Sequence, residues 1–397
     1  MKFSGTSSVT AGLLVLCTLA CGETERYEEP TFPAQSGSHS GGQTTTSGAG
    51  SGQAGSPPAG SAGHVGSAGD ATGAGGSAAA PAPKPSPVTA PLTAVVKSDG
   101  CGKPYTGPLG GEPNTLQTTG VKAADCADQL AGKPVCGPWK AARTYNVYLP
   151  QNYDQERPYP LVIEAPGCGG NGASVPAINQ NVNNTALRVG VAPGPNSLGH
   201  ATNPDQGCFD THEGNDSIDW VMYEQLYDQL NATLCFDRNR VFVGGHSSGA
   251  WFANELGCKY AGDTLRPVRG VLPNDGGLPT DPRYTPTCTS SPVAGMWVHQ
   301  VDSMITPFAG AKVAIERAMA LDQCTNGNTF DTAPLADFPI GGGRPDDTCK
   351  RISGCAPLYP LVVCPLPGNR RSANDETVNP GWSTFIKLFQ APPLLTE

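Results

Sequence analysis

Basic residues are scarce in this chain. Lys and Arg number 25 against 34 Asp and Glu in 397 residues, a net charge of −9, so there is no electrostatic footprint for nucleic acid and no attraction to anionic surfaces. Long apolar runs are also scarce: Ala11 to Ala20 is too short to cross a bilayer as a helix. The 14 cysteines include no Cys-x-x-Cys pair and no Cys/His cluster, which argues against zinc. Histidine is rare, with 6 in all and none after His299. Whatever chemistry the last quarter of the chain supplies, imidazole is not part of it.

Lys2 followed by a short apolar stretch reads as a secretory signal. Its end, Thr18-Leu19-Ala20-Cys21, resembles a bacterial lipobox, with Cys21 as the lipidation site, although Thr18 stands where leucine is usual. A multiply acylated Cys21 would anchor the chain to a membrane only through its lipid. The expected location is a bacterial cell surface or periplasm, or otherwise the medium. Residues 22–95 are rich in Gly, Ser, Ala, Thr and Pro and lack the large apolar side chains needed to offset ordering entropy, so they read as a disordered tether after a leader at 1–21. Removing Cys17 and Cys21 leaves an even dozen cysteines from Cys101 to Cys364. In an exported chain that count implies disulfides.

Residues 96–397 alternate β-rich runs with amphipathic segments, the pattern of an α/β domain with a mostly parallel sheet and helices on both faces. Strands are expected at 143–149, 161–165, 187–191, 241–244, 269–272, 296–299 and 361–364, and helices at 217–230, 250–258, 309–320 and 382–389. The run VFVGGHSSGAW (241–251) places Ser247 between Gly245 and Gly249, where a strand gives way to a helix. That is the pattern of a nucleophile elbow, which exposes a serine hydroxyl above the carboxyl edge of a sheet. The helix that follows aims its first amides at charge developing on that oxygen.

Two blocks, RTYNVYLPQNYDQERPYPLVIEAPGCGGNG and CFDRNRVFVGGHSSGAWFANELGC, resemble the secreted esterases grouped with polyhydroxybutyrate depolymerases and feruloyl or acetylxylan esterases of carbohydrate esterase family one. The resemblance implies an α/β-hydrolase fold and a serine carboxylic ester hydrolase acting on a small ester or an ester-bearing polymer. It implies neither cofactor nor metal, and a Ser, Asp, His triad in that chain order. It makes the amides of Cys168 and Ser248 the oxyanion donors and Asp302, after WVHQ, the acid. It also exposes a gap. In CPLPGNRRSAND, Arg371 stands where the family histidine would be, and a permanently protonated guanidinium cannot accept the serine proton. His212, ahead of His200 and His299, is the candidate substitute base. The alternative is a catalytically impaired domain that binds a polymer or partner through the old cleft.

Overall fold

A computed structural model describes residues 82–110, 112–117, 142–173, 186–193, 207–209, 218–278, 287–304, 306–325, 329–340, 349–367 and 378–389. Ten strands form one sheet in the order β1-β2-β4-β3-β5-β6-β7-β10-β9-β8. They are β1 (Asn114–Gln117), β2 (Ala142–Tyr148), β3 (Tyr159–Ala165), β4 (Leu187–Val191), β5 (Phe236–His246), β6 (Gly270–Asn274), β7 (Ala294–Gln300), β8 (Leu335–Asp337), β9 (Lys350–Ile352) and β10 (Leu361–Leu366). The block β4-β3-β5-β6-β7-β10 is parallel throughout, and β1, β2, β9 and β8 pair antiparallel at its two sides. This strand order with an antiparallel β2 is the α/β-hydrolase fold.

Parallel strands are covered on both faces, so they read as continuous apolar runs. Every residue of β3, β4 and β6 is buried. Successive side chains then divide between two cores. Ile163, Val243 and Trp297 enter one, beneath α1 (Ile218–Thr233), α2 (Ser248–Tyr260) and α3 (Phe308–Leu321). Val162, Phe242 and Val298 enter the other, which Trp382, Phe385 and Ile386 of α4 (Val378–Lys387) close from the opposite face.

Buried charges fix the helices and strands in register. Arg188 of β4 grips Glu164 of β3 through both nitrogens, at 2.9 and 3.0 Å. Arg143 of β2 meets Asp219 in the first turn of α1 at 2.8 Å, and Arg266 holds Asp228 near its other end. The expected disulfides are present: Cys101–Cys235, Cys168–Cys208, Cys258–Cys288, Cys324–Cys355 and Cys349–Cys364. Cys126 and Cys136 lie outside the described residues.

The expected elements form, with β5 extended back to Phe236. Three short edge strands, β1, β8 and β9, were not foreseen. The tether boundary at residue 95 needs correction as well. Val88 donates to the Thr264 carbonyl, Asn239 Nδ2 donates to the carbonyls of Pro91 and Ala94, and Val96 donates to Asp237 Oδ1. Residues 88–98 are therefore a strap across the amino ends of the strands, docked by backbone hydrogen bonds that composition does not reveal. The leader, Cys21 and the tether up to residue 81 fall outside the described residues. Among the described residues no helix is long and apolar enough to cross a membrane.

Candidate active site

β5 ends at His246 and α2 begins at Ser248, leaving Ser247 alone in the turn with φ 54° and ψ −121°. Such a conformation costs a non-glycine residue on the order of 1–3 kcal/mol and persists only where the surroundings impose it. Here both flanking glycines are required. A Cβ on Gly245 would lie 2.5 Å from the Ala165 carbonyl oxygen, and one on Gly249 would overlap the same oxygen more closely still. The Ser247 amide donates to Asn274 O at 3.0 Å, and its carbonyl accepts from Ala250 and Trp251 of α2. The hydroxyl is left outside these ladders, with no hydrogen-bond partner among the described residues.

Sheet register brings further groups to the same level. His246 pairs with Asn274, and Asn274 with Val298. Ser247, Asp275 and His299 therefore form the next row across β5, β6 and β7, extended by Asp275 N–H to Val298 O at 2.9 Å. On the other side, a Cβ at Gly167 would sit 3.3 Å from Ser247 Cβ and 3.2 Å from His246 Nδ1, so the loop after β3 passes close to the serine and a side chain there would crowd it.

That loop carries Cys168. It is tied down by the Cys168–Cys208 disulfide and by Gly169 N–H to Gly207 O at 2.8 Å. The neighbouring Phe209 stacks on Phe252 of α2 at 4.7 Å. No described backbone carbonyl accepts from the amide of Cys168 or Ser248. Ser248 Oγ is buried without a partner.

Asp302 follows β7 on the exposed carboxyl side of the sheet, where its Oδ1 accepts from Gln300 Nε2 at 3.2 Å. It touches no histidine among the described residues. The carboxylate that does is Asp275, which the sequence reading missed. Its backbone takes φ 57°, its Oδ1 accepts from the Gln300 amide at 3.1 Å, and the same oxygen lies 3.3 Å from His299 Nδ1. The string Pro273-Asn274-Asp275-Gly276-Gly277 reads as a polar turn; the signal was its position directly after a strand adjacent to the elbow.

His299 is buried, packs at a tilt against Phe308 and has Nδ1 2.9 Å from Gln300 O. Burial lowers its pKa, against the opposing charge of Asp275, and the same two influences act on His246. Both rings are thus biased toward the neutral form. His299 Nε2 is walled in without a partner. His200, His212 and Arg371 lie outside the described residues. Asp322, Cys324 and Cys355 come together, but a disulfide consumes both thiols, so they do not make a metal site.

No family model matches the chain. A probable feruloyl esterase C from Aspergillus niger is 26% identical over 192 residues, which is 46% of this chain. The chain is similar to a feruloyl esterase. It spans 63% of that relative's length. Among solved structures, an acetyl xylan esterase from Aspergillus awamori aligns with TM-score 0.42 and 11% identity over 65% of this chain and 94% of its own. A ferulic acid esterase from Anaeromyces mucronatus aligns with TM-score 0.35 and 13% identity over 62% of this chain and 85% of its own. A thermostable esterase aligns with TM-score 0.37 and 13% identity over 62% of this chain and 56% of its own.

Proposed function

We propose that the chain is an exported serine carboxylic ester hydrolase that cleaves acyl esters carried on a polymer, feruloyl or acetyl groups among them. The observation that carries this reading is the backbone of Ser247, a strained non-glycine turn between a strand and a helix with glycine required on both sides. The similarity to a probable feruloyl esterase supports the substrate class. Five disulfides support folding in an oxidising compartment, and Cys21 would hold the enzyme to a membrane through lipid.

In this reading Ser247 Oγ attacks the ester carbonyl carbon while its proton passes to His212. The carbonyl oxygen, now negative, is met by the amides of Cys168 and Ser248, and the first amides of α2 add a favourable dipole. The tetrahedral intermediate collapses, the protonated base gives its proton to the leaving alcohol, and water repeats the sequence on the acyl-enzyme.

His212 is chosen because Cys208, four residues before it, is bonded to the cysteine beside Gly167. Four residues reach at most about 14 Å, so the segment bearing His212 starts beside the serine. Asp302 then orients His212, and the triad runs His, Ser, Asp along the chain. His299, with its inner nitrogen enclosed, holds Asp275 and the end of β7 in place.

Turnover of methyl ferulate and p-nitrophenyl acetate tests the assignment. His212→Ala should lower kcat by several orders of magnitude, as loss of a triad base does, while His299→Gln should act mainly on stability. A His212→Ala enzyme as fast as wild type would overturn the base assignment. A second reading, a binding module built on a silent hydrolase, is favoured by Arg371 at the usual histidine position. It predicts a folded protein with no turnover at all.

A further inference from the structure

The opposite end of the sheet holds a cavity of about 240 Å³. It lies where β5, β6 and β10 begin, beneath the strap and the end of α4. Arg240 on its wall is seven residues from Ser247 along β5, about 23 Å at strand rise, so the cavity is separate from the serine site.

Arg269 is the group that needs explaining. It lines the cavity, is 7% exposed, and its guanidinium packs against the rings of Tyr359 and Phe389, with centroids at 4.7 and 4.9 Å. Nη2 donates to Leu358 O at 2.5 Å, Nη1 is sealed in without a partner among the described residues, and Nε, which is not sealed, makes no hydrogen bond to them. Arg351 of β9 lines the same cavity, and no described carboxylate pairs with it. The other charges are already met. Asp237 accepts from Val96, Asn239 and Arg240, and Arg240 also donates to Pro158 O. Asp322, the acid whose charge acts on Arg269, stands beyond ion-pair distance with Oδ2 taken by the Ala356 amide.

A buried guanidinium packed against two rings, with one donor unused and a second arginine alongside, is suited to receive an anion. The remaining wall includes Leu92, Leu358 and Leu388, which suits an apolar body. We propose that this cavity binds a small organic monocarboxylate, its two oxygens bridging the accessible edge of the Arg269 guanidinium and Arg351. The volume falls below that of sites for drug-sized ligands and limits the ligand to a single ring or a short chain. Planar bidentate geometry favours carboxylate over phosphate, whose further oxygens would find no donors there.

The test uses the full chain carrying Ser247→Ala, so that its outcome does not depend on ester hydrolysis. Benzoate, benzamide and inorganic phosphate are titrated by calorimetry. Saturable one-to-one binding of benzoate is expected, with benzamide and phosphate each weaker by about tenfold or more. Arg351→Gln, on the short strand β9, should weaken benzoate by a similar factor. The proposal is overturned if benzoate shows no saturable binding below roughly 10 mM, if benzamide or phosphate binds as well, or if folded Arg351→Gln protein binds benzoate unchanged.

Discussion

Ser247 and Asp275 hold positive φ angles of 54° and 57° directly after adjacent strands, and glycines beside them relieve the crowding. Gly276 packs against Ser247 O, where a Cβ would come within 2.9 Å, and Gly249 fits under the Ala165 carbonyl. Gly249→Ala should therefore cost stability in the range of overpacked cores, about 1–3 kcal/mol, and displace the hydroxyl. Thermal unfolding together with ester turnover would register both effects. Asp275→Asn and Asp302→Asn separate the two carboxylates: the proposed mechanism expects Asp302→Asn to lower kcat more. The pH dependence follows from His246 and His299, whose folded pKa values are lowered by burial. The unfolded chain then binds the extra protons, so stability is fully present above about pH 6.5. It is lost as pH falls below that value toward the folded pKa values. Chemical denaturation at pH 5.5 and 7.5 should show the lower midpoint at pH 5.5.

Among the elements, those buried on both faces were legible because their composition announces them. LVIEA and VFVGG contain the apolar runs of β3 and β5, and the Gly-x-Ser-x-Gly turn between β5 and α2 followed. The short strands β1, β8 and β9 give too little pattern to read; β8 is exposed throughout. The strap was hidden for a different reason. Its Pro- and Ala-rich sequence resembles the preceding linker, and its order comes from backbone groups meeting Asp237, Asn239 and Thr264. Asp275 was hidden because a polar residue before two glycines reads as a turn. One pairing with an energetic consequence is Arg188–Glu164, buried and bidentate. Glu164→Gln removes the carboxylate from this buried bidentate pair and should cost about 3–5 kcal/mol, measurable as a large fall in the denaturation midpoint. An unchanged midpoint would mean that the strand register does not depend on this pair.

At the scale of the whole molecule, a strained serine, a glycine loop clamped by Cys168–Cys208 and two amides without a described carbonyl partner stand at one edge of a ten-stranded sheet. Deleting residues 36–81 should leave the melting temperature almost unchanged on compositional grounds. Extending the deletion through residue 97 should lower it, because the strap bonds are then lost. The central claim is that Ser247 is an activated nucleophile. Incubation of the intact protein with a fluorophosphonate, followed by mass analysis and peptide mapping, tests it most directly. The account predicts a single adduct on Ser247, forming faster as pH rises through the titration of its base and absent in Ser247→Ala. A folded protein that stays unlabelled, or one labelled equally after Ser247→Ala, would contradict it.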